Sequence, residues 1–174
     1  MVQRFKPALS FTANTISALN RYIGYGVSLL VLVFGGIMLW EAISRHFFDN
    51  PTTWAFETSK MVFGFYMIWA GGYTLVCNEH VSMDLFYDKW PPRMQAAMDV
   101  FTYIFFLILF LTLLKLIGLD ALSAIDGGEK SNSTMSQPLY HWRALLVLGV
   151  FLVFLQGTAA FIRNLWFAIY GEKL

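Results

Sequence analysis

The stretch Tyr22–Trp40, YIGYGVSLLVLVFGGIMLW, holds 19 residues without a charge, closed off by Arg21 on one side and Glu41 on the other. A bilayer core about 30 Å thick takes about 20 apolar residues at helical rise. The run therefore reads as a membrane-crossing helix. It is longer than the apolar part of a cleavable signal peptide, about 7–15 residues. Glu41–Ser44 stand after it in place of a small-residue cleavage site. It is read as an uncleaved first span whose helix continues to Phe48.

Working outward, the pattern repeats. No charge falls between Lys60 and Glu79, within Val100–Leu114, or between Arg143 and Arg163. Asp49, Asn50 and Pro51 break the first helix. Asn50 has the chemistry of an N-cap and Pro51 suits a first helical position, so a second span is expected over 51–78. Pro91 and Pro92 open a third, over 93–119. Lys115 lies inside it and is expected to snorkel, its carbons in lipid and its ammonium at the headgroups. A long irregular loop, about 120–141, carries Gly127, Gly128 and Pro138. A fourth span over 142–170 ends as an interfacial helix through Trp166 and Tyr170. The expectation is an all-α integral membrane protein, one domain over 1–174, with four transmembrane helices. Tyr22, Trp40, Trp54, Tyr87, Trp90, Tyr140, Trp142, Trp166 and Tyr170 crowd the span ends as an aromatic belt.

Four spans place both termini on one side. Seven of the 12 Lys and Arg fall on that side and five on the other. The excess, carried mostly by Arg4, Lys6 and Arg21, favours cytoplasmic termini. The composition fits: 57% of residues are hydrophobic and 13% are charged, where soluble domains carry about 25%. A net charge of +1 gives no basic surface for nucleic acid.

Several chemistries fail on residue type. Paired haem ligands would sit inside facing helices, but His46, His80 and His141 stand at span ends. A disulfide oxidase needs cysteine pairs, and Cys77 is the one cysteine. A charge-moving exporter or an intramembrane enzyme needs ionisable groups at depth. The span interiors offer only scattered polar residues such as Ser28, Tyr66, Thr112 and Gln156. No catalytic, substrate-binding or metal site is expected, and no cofactor. An accessory or scaffolding role remains, with a stand-alone membrane redox protein or small exporter as the alternative. The Gly35-Gly36 and Gly71-Gly72 pairs offer faces for close helix packing.

The polar residues gather at the ends of the first two spans. Arg45, five residues, Pro51, two residues, Trp54, two residues and Glu57 make one group. After about 20 apolar residues come Glu79, His80, Val81 and Asp84. Taken together this pattern resembles the small membrane subunit of tripartite ATP-independent periplasmic (TRAP) transporters. In that family an arginine precedes Pro-x-x-Trp-x-x-Glu, and a His-hydrophobic-x-x-Asp follows. Chain length, the four spans, the proline in loop 3 and Leu155-Gln156-Gly157 agree with it. Phe56 departs, because many relatives carry an acidic or polar residue beside the glutamate.

The resemblance implies residence in the bacterial inner membrane, in contact with lipid and with two protein partners. A large permease subunit would carry the substrate and the sodium by an elevator motion. A periplasmic binding protein would deliver an organic acid. Arg45, Pro51, Trp54 and Glu57 would then lie on the periplasmic side with loop 3, whose Asp126 and Glu129 are candidate docking residues. His80 and Asp84 would lie cytoplasmically as a hydrogen-bonded corner. Their connector is readable as helix, with the pair at i,i+4, or as an extended piece with Val81, Met83 and Leu85 alternating.

Overall fold

A computed structural model describes residues 6–77, 90–132, 136–172 and 174. Among these residues stand five helices: α1 (Lys6–Ser28), α2 (Leu30–Phe47), α3 (Ala55–Val76), α4 (Pro92–Asp126) and α5 (Tyr140–Tyr170). Leu29 keeps helical dihedrals, φ −67° and ψ −21°, so α1 and α2 form one rod of 42 residues. At 1.5 Å per residue that rod is about 63 Å long, about twice the hydrocarbon thickness. Counted this way the described residues form four helical rods and no strand beyond an isolated bridge from Lys130 to Pro138.

Among the described residues three rods are long and apolar enough to cross a membrane: 6–47, α4 and α5. The expected second span, now α3, falls outside that group because it holds only 16 residues after Lys60, and Gly64, Gly71, Gly72, Tyr66, Tyr73 and Thr74 dilute the apolar ones among them. It is also the helix that touches α1, α2 and α5. A helix packed among others needs small residues more than lipophilic ones. Gly149 of α5 shows why. A Cβ there would stand 2.7 Å from both Ile68 Cγ2 and Trp69 Cδ1. At Gly71 a Cβ would stand 3.3 Å from Val153 Cγ2, and Gly72 receives the Asn20 amide. By contrast, Gly35 and Gly36 have nothing within 4 Å.

Residues 6–21, expected to be a tail ahead of the first span, are helix and belong to the core. α1 runs antiparallel to α5, as pairs from Lys6–Glu172 (3.3 Å) to Asn20–Gln156 show. Gln156 is therefore not one of a scattered set. Its Nε2 donates to Ser17 Oγ at 3.2 Å, and its Oε1 accepts from Asn20 Nδ2 at 3.4 Å. Arg163 Nη2 completes the chain of bonds to Ser17 Oγ (2.8 Å) and Ala13 O (3.0 Å). Asn20 and Gln156 are the largest fully buried side chains among the described residues. Hydrogen bonds between membrane helices contribute about 0.6 kcal/mol each on average, so this knot fixes where α1 sits along α5.

Pro92 opens α4 at its first position as expected, with Pro91 extended before it (ψ 145°). The helix runs on from Leu119 to Asp126, so the loop shortens to residues 127–139. It folds back on itself through Ser131 N–H to Gln137 O (2.7 Å) and Leu139 N–H to Glu129 O (2.9 Å).

Candidate functional site

The turn between α2 and α3 is built around Glu41. Asp49 takes the left-handed conformation (φ 50°) that ends α2, one that Asp tolerates. Asn50 N–H then returns to Ser44 O at 3.1 Å. Glu41 is buried at 7% exposure, and its carboxylate is filled by donors. Oε1 accepts from Arg45 Nη2 (2.7 Å) and Nε (3.2 Å), while Oε2 accepts from Thr52 N–H (3.0 Å) and the Thr52 hydroxyl. The Arg45 side chain is largely exposed, so the ion pair itself contributes under about 1 kcal/mol. Its larger effect is to satisfy an otherwise costly buried charge.

This turn corrects the expected start of the second helix. Asn50 and Pro51 do not cap α3. Glu41 holds Thr52 by its backbone N–H and hydroxyl, and the chain enters helix only at Ala55, after Trp54. Pro51, Trp54 and Phe56 are all exposed there, next to the exposed Phe47 and Phe48 at the end of α2.

The second loop closes on the same end. Gln137 Nε2 reaches Thr58 Oγ1 at 3.4 Å, 79 residues back along the chain. Glu57 and Lys60 of α3 and Ser131 and Arg143 from the loop and α5 line one cleft of about 340 Å³. Of the residues singled out by sequence, Arg45, Pro51, Trp54 and Glu57 thus share an end with Asp126 and Glu129. They do not all play alike parts. Asp126 is exposed at the close of α4, whereas Glu129 is held by Arg143 Nη2 at 2.7 Å. His80 and Asp84 lie outside the described residues. What sequence reasoning missed is Glu41. Its spacing from Arg45, i to i+4, was readable as a helical pair. Its reach to Thr52 was not.

A family model described as Tripartite ATP-independent periplasmic transporters, DctQ component, matches residues 34–166. The chain belongs to that family. The DctQ match takes in most of α2, all of α3 and α4, and α5 as far as Trp166, and so covers both loops of this end. It leaves out α1, which nevertheless supplies Ser17 and Asn20 to the core. DctQ chains are small permease subunits of TRAP transporters and not enzymes, and the family works with a large permease and a periplasmic binding protein. No curated protein and no solved structure matches the chain.

Proposed function

We propose that this DctQ chain is the accessory subunit of a sodium-coupled importer of an organic acid in the bacterial inner membrane. In this reading a large elevator-type permease subunit moves substrate and sodium. The present chain supports that subunit's static part, crosses the membrane four times with α3 as the second span, and keeps both termini in the cytoplasm. The seven-to-five division of Lys and Arg supports that orientation. The end carrying residues 48–54 and 127–139 then faces the periplasm, where a binding protein docks on it. The observation that carries the docking reading is the closing of the second loop on the first turns of α3, just after the first loop, through Gln137 and Thr58 and through the cleft between them. Exposed Trp54, Phe56 and Asp126 supply apolar and acidic contact surface beside that joint. The stand-alone redox or exporter alternative draws no support from the DctQ family.

The test has two readouts on one preparation. The tagged chain, co-expressed with its genomic neighbours, should bring down a large membrane protein in stoichiometric amount. In the reconstituted complex, Glu57→Gln with Asp126→Asn should lower uptake at limiting binding protein roughly tenfold, and less in high salt, because rim charges act chiefly on encounter. A partner-free chain overturns the accessory role. Unchanged uptake by an intact complex overturns the docking role alone.

A further inference from the structure

The cleft beside loop 3 has a polarity gradient that binding-protein docking does not account for. Two helix faces build it. From α3 come Glu57, Lys60, Met61 and Gly64, spaced i, i+3, i+4 and i+7. From the residue before α5 and its first turns come Leu139, Trp142, Arg143 and Leu146, spaced the same way. The helices run parallel here, since Ile68 and Trp69 of α3 meet Gly149 of α5 and Gly71 meets Val153 further along. The α3 face therefore changes from charged to apolar away from loop 3, and on α5 Arg143 is followed by Leu146 in the same direction, over about two turns or 10 Å. The two helices press together at Gly149 and separate toward loop 3, where the cleft opens. Over Gly64 the space is empty, with no atom within 4 Å of a Cβ built there. A second, apolar cavity of about 230 Å³, walled by Leu30, Val62 and Leu145, shares Phe65 and Trp142 with the first.

The charges at the mouth are of both signs. Arg143 donates from Nη2 to Glu129 and, at 3.5 Å, from Nη1 to Asp120 O, and its five-donor fork keeps further N–H groups. Lys60 is exposed and has no ion-pair partner among the described residues. Glu57 stands one turn before Lys60. Trp142 marks the depth as the boundary between headgroups and acyl chains. An occupant of matching chemistry carries a phosphate, a primary ammonium and a hydrocarbon chain.

We infer that this cleft binds one phospholipid with an ethanolamine headgroup. Its phosphate lies between Lys60 and Arg143, and its ammonium lies toward Glu57. One acyl chain lies over Gly64, against Met61, Phe65 and Leu146.

The test is native mass spectrometry of the full chain released from nanodiscs with equal ethanolamine- and glycerol-headgroup phospholipid. The wild type should retain one lipid, of the ethanolamine class. Gly64→Leu, which fills the cleft, should abolish retention, and Gly64→Ala should preserve it. Lys60→Ala should lower retention about tenfold, as expected for losing one charge-assisted contact to phosphate. Equal retention by wild type, Gly64→Leu and Lys60→Ala overturns the site, and preference for the glycerol headgroup overturns its zwitterionic character. If a permease subunit fills the cleft instead, the co-purified complex holds no such lipid and Gly64→Leu blocks its assembly, which also overturns the inference.

Discussion

α4 and α3 both pack on α5 and make opposite use of hydrophobicity. α4 holds the most apolar window of the three membrane-length rods, mean hydropathy 2.5, and 0% of that window is buried within the chain. α3 falls short of that apolarity and yet packs on α1, α2 and α5. In a water-soluble fold the apolar helix would be the inner one. In a bilayer the lipid is as apolar as leucine, so hydrophobicity marks what faces outward. Small and hydrogen-bonding residues mark what packs. The glycines and tyrosines of α3 are its packing signal, and the bare phenylalanines and leucines of α4 are a surface.

That contrast can be broken most forcefully at Gly149→Leu. The added side chain must displace Ile68 and the Trp69 indole, whose Nε1 donates to Leu145 O at 2.9 Å. Overpacking of this kind costs about 3 kcal/mol, to be read as a lower midpoint in detergent unfolding. A midpoint equal to wild type would mean that α3 and α5 do not pack as described. Gln156→Leu comes next. It makes the helix more lipophilic and removes the partner of Ser17 and Asn20, for an expected loss of about 1 kcal/mol. A gain in stability on the same assay would show that lipophilicity outweighs the polar knot. The smallest effect belongs to α4. Ile104→Leu, Ile108→Leu and Leu109→Ile together exchange one exposed apolar surface for another, and the isolated chain should change by less than about 0.5 kcal/mol. Measured in the assembled transporter, the same triple change sharpens the comparison. A loss of complex there identifies α4 as a face that meets a protein and not lipid.

Charge-free runs made the cores of α2, α4 and α5 legible in the sequence, because a bilayer imposes length and apolarity on each helix separately. Pro91 and Pro92 marked the start of α4 for an equally local reason. α1 was hidden because Asn14, Ser17 and Asn20 read as a polar tail until Gln156 and Arg163, more than 130 residues away, supply their partners. The start of α3 was misplaced through another long reach. Asn50-Pro51 has good local capping chemistry, but Glu41 holds Thr52 from 11 residues upstream. At the candidate site the cluster of Arg45, Trp54 and Glu57 was visible, while the juncture with Gln137 and Arg143 depended on α3 and α5 running parallel. Local chemistry was readable, and chemistry shared between distant helices was not.

The polar knot between α1 and α5 also sets a clock. Asn20 and Gln156 are 136 residues apart, and a ribosome adds roughly 5–20 residues per second. For roughly 7 to 27 s after Asn20 is made, its partner does not yet exist. During that interval α1 must wait at the translocon or in the membrane with Ser17 and Asn20 turned toward water, headgroups or a chaperone. The last of the described helices to be synthesised is thus the one that completes the first, and a chain cut short before Gln156 leaves Ser17 and Asn20 without that partner.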